Sequence, residues 1–187
     1  MRIVAGEFRG RRLHTPKGEG IRPTADRVRE AMFSIIGSRV PDATVLDLYA
    51  GTGALGLEAI SRGAASAVFV DQNPAAIRLI RSNIQLCGAE GRSRVIQASV
   101  SRAVRQLAGE ALAFSLVFLD PPYGRGHVDA ILPDLHRIAD ASTLVVAEHH
   151  AKDILPSTCG KWVRTQERLY GDTAISFYMR STDSPIS

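Results

Sequence analysis

Cysteine and lysine are scarce in this sequence, and long apolar stretches are missing. The two cysteines among 187 residues, Cys87 and Cys159, have neither metal-site nor redox-pair spacing. This excludes a disulfide scaffold and indicates a reducing compartment. No window approaches the roughly 18 apolar residues of a membrane span, and the first residues lack the apolar core of a signal peptide. We therefore expect a folded, soluble protein in the cytoplasm, without a membrane partner.

Arginine, not lysine, carries the positive charge. It accounts for 20 of the 23 basic residues, and the formal net charge is +4. Residues 1–30 hold eight basic and four acidic residues, so the rest of the chain is neutral. Because arginine binds phosphate with a planar fork of donors, the basic segment predicts nucleic-acid contact. The candidate nucleic-acid-binding residues in it are Arg9, Arg11, Arg12, Arg22, Arg27 and Arg29.

Apolar patterning divides the chain into a short extension and one domain. Residues 2–14 contain two short β-forming pieces around Gly6 and Gly10, which predict a hairpin, and a turn-rich linker follows. A helix comes next, and from residue 44 apolar strands alternate with amphipathic helices. This predicts an α/β fold with a doubly wound, mostly parallel, seven-stranded sheet. We assign residues 1–22 to a basic extension and linker, and residues 23–187 to the domain.

A glycine-rich loop follows the first predicted strand, in the sequence DLYAGTGALG. Gly51 and Gly53 allow the backbone to approach a ligand closely. Asp71 ends the second strand, where a carboxylate can accept both hydroxyls of a ribose. The pattern also matches the dinucleotide fingerprint, so a nicotinamide-dependent oxidoreductase remains an alternative.

Two features of this loop favour S-adenosylmethionine over a dinucleotide. Asp47 precedes the glycines, where it can face the amino group of a cationic ligand and would repel a pyrophosphate. No basic residue lies between Gly53 and Arg62 to hold phosphate. Tyr49, within the loop, is a further candidate cofactor-binding residue.

The fourth predicted strand ends in the sequence Asp120-Pro121-Pro122-Tyr123. Two prolines remove two N–H donors, so the local carbonyls and the Asp120 carboxylate present only acceptors. Such a rim complements an exocyclic amine, and Tyr123 offers a face on which a base can stack. If the strand order reverses at the first strand, strands one and four are neighbours and the two motifs meet at one edge of the sheet.

The strings RIVAGEFRGRRL, RPTADRVREAMF, DLYAGTGALGLEA and DPPY occur in this order. Together they resemble the bacterial family that methylates the exocyclic amine of a guanine in 16S ribosomal RNA. This is the small-subunit methyltransferase D type of class I S-adenosylmethionine-dependent methyltransferases. The resemblance runs from Arg2 to about Met179. It implies a class I methyltransferase fold with an amino-terminal β-hairpin extension, and an assembling small-subunit particle as the partner.

The same resemblance implies roles for individual residues. Gly51 and Gly53 would line the methionine portion of S-adenosylmethionine, and Asp71 the ribose. Ser99 follows the third strand, where families of this type often place an Asp or Asn near the adenine. Near the catalytic pocket the resemblance places Arg22, Thr24 and Arg27.

The leading hypothesis is methyl transfer from S-adenosylmethionine to a guanine amine by a monomer without a metal. Asp120, Pro121 and Tyr123 are its candidate catalytic residues, because they would hold and orient the amine. The same chemistry on DNA adenine or on a protein glutamine is a second hypothesis. An RNA-binding module with a vestigial site is a third.

Overall fold

A computed structural model describes residues 1–16, 23–122 and 126–181 of the chain, and the side chains of the first helix from residue 26 onward. In this part of the chain no helix has the length and apolar character needed to cross a membrane. The α-helices are α1 (Pro23–Ile35), α2 (Ala54–Ser61), α3 (Pro74–Cys87), α4 (Val100–Gly109) and α5 (His127–Ile131). The strands are β1 (Thr44–Leu48), β2 (Ser66–Asp71), β3 (Ser93–Gln97), β4 (Phe114–Leu119), β5 (Ala139–His150), β6 (Thr158–Cys159), β7 (Trp162–Tyr170) and β8 (Thr173–Arg180).

All of these strands form one sheet in the order β3-β2-β1-β4-β5-β8-β7-β6. The first five strands in this order run parallel, and β8, β7 and β6 continue the sheet with antiparallel pairing. The order reverses at β1, which lies beside β4. The prediction of a doubly wound, mostly parallel sheet is therefore confirmed. The two-residue strand β6 raises the number of strands from the predicted seven to eight.

Two apolar layers cover the sheet because successive strand residues point to opposite faces. In β2, Phe69 packs into one layer with α1, α2 and α3, whereas Val70 packs into the other with α4 and α5. The strands are buried on both sides, which explains their almost continuous apolar sequences. Pro133 interrupts the helix that follows β4, so that α5 ends at Ile131 and a 3-10 helix continues over Leu132–Ile138.

The amino-terminal arm, residues 1–16, packs against α2. Its two pieces meet in a single antiparallel bridge between Arg2 and Arg12, not in a ladder of strands. The reason is that backbone N–H groups of the arm bond to α2: those of Val4 and Ala5 donate to the Glu58 carboxylate at 2.8 and 3.0 Å. Ile3 and Phe8 of the arm are buried in the same apolar layer as α1, α2 and α3. The arm thus contributes to the core of the domain.

Candidate active site

A cleft of about 1350 Å³ opens at the carboxyl ends of the parallel strands. Its lining includes residues at or just after the ends of five neighbouring strands. They are Tyr49 after β1, Asp71 in β2, Ser99 after β3, Asp120 after β4 and Glu148 in β5. The cleft therefore lies at the point where the strand order reverses, which is the usual ligand site of doubly wound sheets. It brings together the two motifs that the sequence places after β1 and β4.

Asp71 fixes the glycine-rich loop at one wall of this cleft. One oxygen of its carboxylate accepts from the N–H of Gly51 at 3.0 Å, and the other from the N–H of Asn73 at 2.8 Å. Each oxygen keeps a second lone pair for a ligand in the cleft. Gly53 lies further along the loop, in the left-handed conformation with φ +79°, and its carbonyl accepts the first bond of α2 from Leu57.

Asp47 lies beneath the loop instead of on the surface of the cleft. It is 1% exposed, and its Oδ2 accepts from the N–H of Gly56 at 2.9 Å, in the first turn of α2. Burial raises the pKa of Asp47 to about 7; the bond from Gly56 opposes this shift, and the charge of Asp71 adds to it. The charge of Asp47 consequently reaches a ligand only across the loop.

Tyr49, His127 and the segment after β4 also line the cleft. The rings of Tyr49 and His127 lie 5.6 Å apart between centroids, in a tilted arrangement. Burial raises the pKa of the Tyr49 hydroxyl, which remains neutral. His127 and Glu148 are not among the site residues predicted from the sequence. Glu148 has a recognisable signal, since it is the single acidic residue in the apolar run TLVVAEH.

Asp120 and Pro121 present acceptors to the same cleft. Asp120 directly follows β4, and its side chain is exposed in the cleft. The protein atoms around the carboxyl group reduce its hydration and raise its pKa well above the ordinary value, and the charges of Glu148 and Asp47 raise the pKa further. Tyr123, the third candidate catalytic residue, lies outside the described residues.

The candidate RNA-binding arginines separate into exposed and buried groups. Arg9, Arg11 and Arg12 are exposed on the arm, and Arg27 is exposed on α1. Arg11 is held in place, because its guanidinium donates to the carbonyl of Leu86 at 2.8 Å and lies over the ring of Phe8. Arg11 thus lies beside the carboxyl end of α3.

Arg29 is not part of this exposed set. It is 4% exposed and forms ion pairs with Asp26 at 3.0 Å and Glu58 at 3.6 Å. Its position makes it a structural residue that connects α1, α2 and the arm, because its guanidinium is enclosed by these partners. Arg22 and the side chain of Thr24 lie outside the described residues.

Two further arginines, Arg78 and Arg81, extend the basic surface along α3. Both are exposed, and their i, i+3 spacing places them on one side of the helix. Arg78 also lines the cleft. Their signal in the sequence is a helix, Pro74–Cys87, that carries two arginines and no acidic residue.

A family model described as "Conserved hypothetical protein 95" matches residues 1–179. The Escherichia coli K12 protein named "Ribosomal RNA small subunit methyltransferase D" is 37% identical over 183 residues, which cover 96% of this chain and 90% of that protein. A candidate rRNA methyltransferase of Bacillus subtilis, YlbH, is 35% identical over 182 residues, covering 96% of this chain and 99% of its own.

A solved structure of a candidate methyltransferase of Escherichia coli, yhhF, superimposes with a TM-score of 0.83 and 34% identity. The match covers 98% of this chain and 99% of that one. These similarities extend over the arm and over both sides of the cleft. The chain therefore belongs to the Conserved hypothetical protein 95 family, the small-subunit methyltransferase D type of class I S-adenosylmethionine-dependent methyltransferases.

Proposed function

We propose that this chain transfers a methyl group from S-adenosylmethionine to the exocyclic amino group of a guanine in 16S ribosomal RNA. The names of its relatives support a ribosomal RNA substrate. The observation that carries the choice of an amine is the acceptor-only rim of Asp120 and Pro121, which opens into the same cleft as Asp71 and the loop after β1. We further propose a cytoplasmic monomer with a basic extension, residues 1–22, on a domain of residues 23–187, and an assembling small-subunit particle as its partner.

The residues of the cleft fit S-adenosylmethionine in charge and in hydrogen-bonding capacity. The free lone pairs of Asp71 suit the ribose hydroxyls, the glycine loop suits the methionine portion, and Ser99 lies where the adenine would be held. The cleft is lined by the acidic residues Asp71, Asp120 and Glu148, which favour a cationic ligand over an anionic one. When bound, the cofactor supplies an electrophilic methyl group on a positively charged sulfur.

Asp120 and the carbonyl of Pro121 would accept hydrogen bonds from the two protons of the guanine amine. These two hydrogen bonds would orient the nitrogen lone pair toward the methyl group that the bound cofactor supplies. The methylated nitrogen then loses a proton. Asp120 is suited to accept it, because its raised pKa makes it a stronger base than an ordinary carboxylate.

The RNA backbone would lie along the exposed arginines of the arm and of α3. Arg11 donates to the carbonyl of Leu86 in α3, the helix that also carries Arg81 and Arg78, which supports one basic surface shared by the arm and α3. This surface leads into the cleft, since Arg78 belongs to its lining. Guanidinium groups at these positions would fix the position of the RNA by its phosphates, and the pocket would select the base.

The experiment is methylation with labelled S-adenosylmethionine, using small-subunit particles from cells that lack the gene, protein-free 16S RNA and DNA as separate substrates. We expect label in the RNA and N2-methylguanine at one position, mapped by mass spectrometry. Label in DNA adenine, or in no nucleic acid, would contradict the proposal. Calorimetry with NAD and with S-adenosylmethionine tests the oxidoreductase alternative in the same preparation.

A further inference from the structure

A second, smaller cavity of about 220 Å³ adjoins the cleft. The two cavities share Pro121, Pro122 and His127 in their linings, so the segment after β4 separates them. The smaller cavity is also lined by the acidic residues Asp129 and Asp153. It is large enough for one planar base, and its position brings such a base next to the amine-binding rim.

The loop that follows β5, residues 151–156, forms one edge of this smaller cavity. Its backbone is fixed at three points: the N–H of Ala151 donates to the carbonyl of Asp172, that of Lys152 to Nδ1 of His150, and that of Asp153 to the carbonyl of His150. Leu155 is 6% exposed and anchors the loop in the core. The loop is therefore held in a defined conformation.

Ile154 stands at the tip of this loop, on the rim of the smaller cavity. It is 95% exposed, whereas the next most exposed large apolar side chain, Leu169, is 64% exposed in the described part of the chain. A single exposed apolar residue has no meaning by itself. Ile154 is distinguished because a fixed loop holds it out beside a cavity that adjoins the catalytic segment.

We propose that Ile154 is a wedge that enters the RNA stack and fills the space left by the target guanine when the base turns into the smaller cavity. Proteins that distort nucleic acids insert apolar side chains between stacked bases, and extruding a base from the stack costs a few kcal/mol. The carboxylate of Asp129 or Asp153 would accept from the N1–H group of guanine, which adenine lacks, while the amine reaches Asp120 and Pro121. The inference rests on the proposed function, because it requires a guanine in structured RNA as the substrate.

The test uses RNA that keeps the target guanine and carries 2-aminopurine at the position next to it. The fluorescence of the 2-aminopurine rises when the neighbouring guanine leaves the stack. With S-adenosylhomocysteine present, no turnover occurs. We expect the wild-type protein to raise the fluorescence and Ile154→Ser to lose most of that rise while RNA affinity is retained. Ile154→Met, which restores apolar bulk, should recover it, and Leu169→Ser is the matched control and should behave as wild type.

The inference is overturned if Ile154→Ser gives the full fluorescence rise, if Leu169→Ser loses as much of it, or if the wild-type protein causes none. These outcomes are distinct from failure of the proposed function. If the proposed function fails, the methylation experiment shows no methylated guanine. If only the wedge is wrong, the wild-type enzyme still methylates its guanine, and Ile154 has no part in moving the base.

Discussion

Asn83 binds both backbone polar groups of His14. Its Oδ1 accepts from the N–H of His14 at 2.7 Å, and its Nδ2 donates to the carbonyl of the same residue at 3.0 Å. The same Nδ2 donates to the carbonyl of Thr52 in the glycine-rich loop at 2.9 Å. One fully buried side chain thus joins the arm to the glycine-rich loop of the cleft.

We predict that Asn83→Ala weakens both the fold and cofactor binding. Three backbone groups would lose their partner, and such losses cost about 1–3 kcal/mol per buried group before relaxation. Urea unfolding and calorimetry with S-adenosylhomocysteine measure the two effects. Gln85→Ala, an exposed change on the same helix, is the control and should alter neither; equal effects of the two variants would contradict the role of Asn83.

Asp120→Asn should lower the rate of methyl transfer about 10²- to 10³-fold, because an amide is not a proton acceptor and presents a donor toward the amine. Affinity for S-adenosylhomocysteine should stay close to that of the wild type. Single-turnover rates and calorimetry separate the two quantities. A large loss of cofactor affinity would mean that Asp120 acts in binding and not in the transfer.

The same residue predicts a pH profile. Asp120 must be ionised to accept a proton, so the wild-type rate should rise as pH increases through its pKa, which lies well above the ordinary carboxyl value. The rising limb should therefore lie above the range of an exposed Asp, near pH 4. A rate that is constant from pH 5 upward would exclude Asp120 as the titrating group.

Asp47 should make the fold less stable as pH rises. Its pKa is about 7 in the folded protein, so the folded state holds a proton that the unfolded chain releases near pH 4. Stability therefore falls between these values and is constant above them. We expect the wild type to lose about 2–3 kcal/mol more than Asp47→Asn between pH 5 and pH 8, measured by urea unfolding. Parallel curves for the two proteins would contradict this.

Two arginine pairs of equal spacing test where the RNA lies. Arg78 and Arg81 on α3 share a sheet face with the arm, and Arg102 and Arg105 are exposed on α4, which packs on the opposite face. Replacing the α3 pair by alanine should weaken RNA binding and reduce the slope of log K against log salt by about two. The α4 pair is the control. If it causes the same loss, the RNA does not follow α3.

Local sequence patterns were sufficient to predict the sheet and the edge where the cleft lies. Each pattern that predicted them is defined by residues close together in the chain. These patterns are the strand–helix alternation, the loop after Asp47 and the two prolines after Asp120. Gly56 is part of the glycine-rich string after β1, but glycine is required at this position because of packing. A Cβ there would come within 2.4 Å of the Phe69 ring. That contact depends on how α2 lies on β2, which the pattern does not specify.

The docking of the arm could not be predicted from such patterns. Glu58 lies in an amphipathic helix and looks like a solvated acid, yet it is fully buried and binds Val4, 54 residues away in the chain. Arg29 looked like a phosphate ligand for the same reason. Both are partners in a network that exists only after the arm, α1 and α2 have come together.

The strand β8 lies between β5 and β7 in the sheet, although it follows both in the chain. While the protein is being synthesised, β5 can pair with β4 along one edge, and its other edge stays without its native partner until β8 has left the ribosome. An open edge on an apolar strand is a site for wrong pairing with other chains. The order of the strands thus ties the protection of the growing sheet to the synthesis of β8.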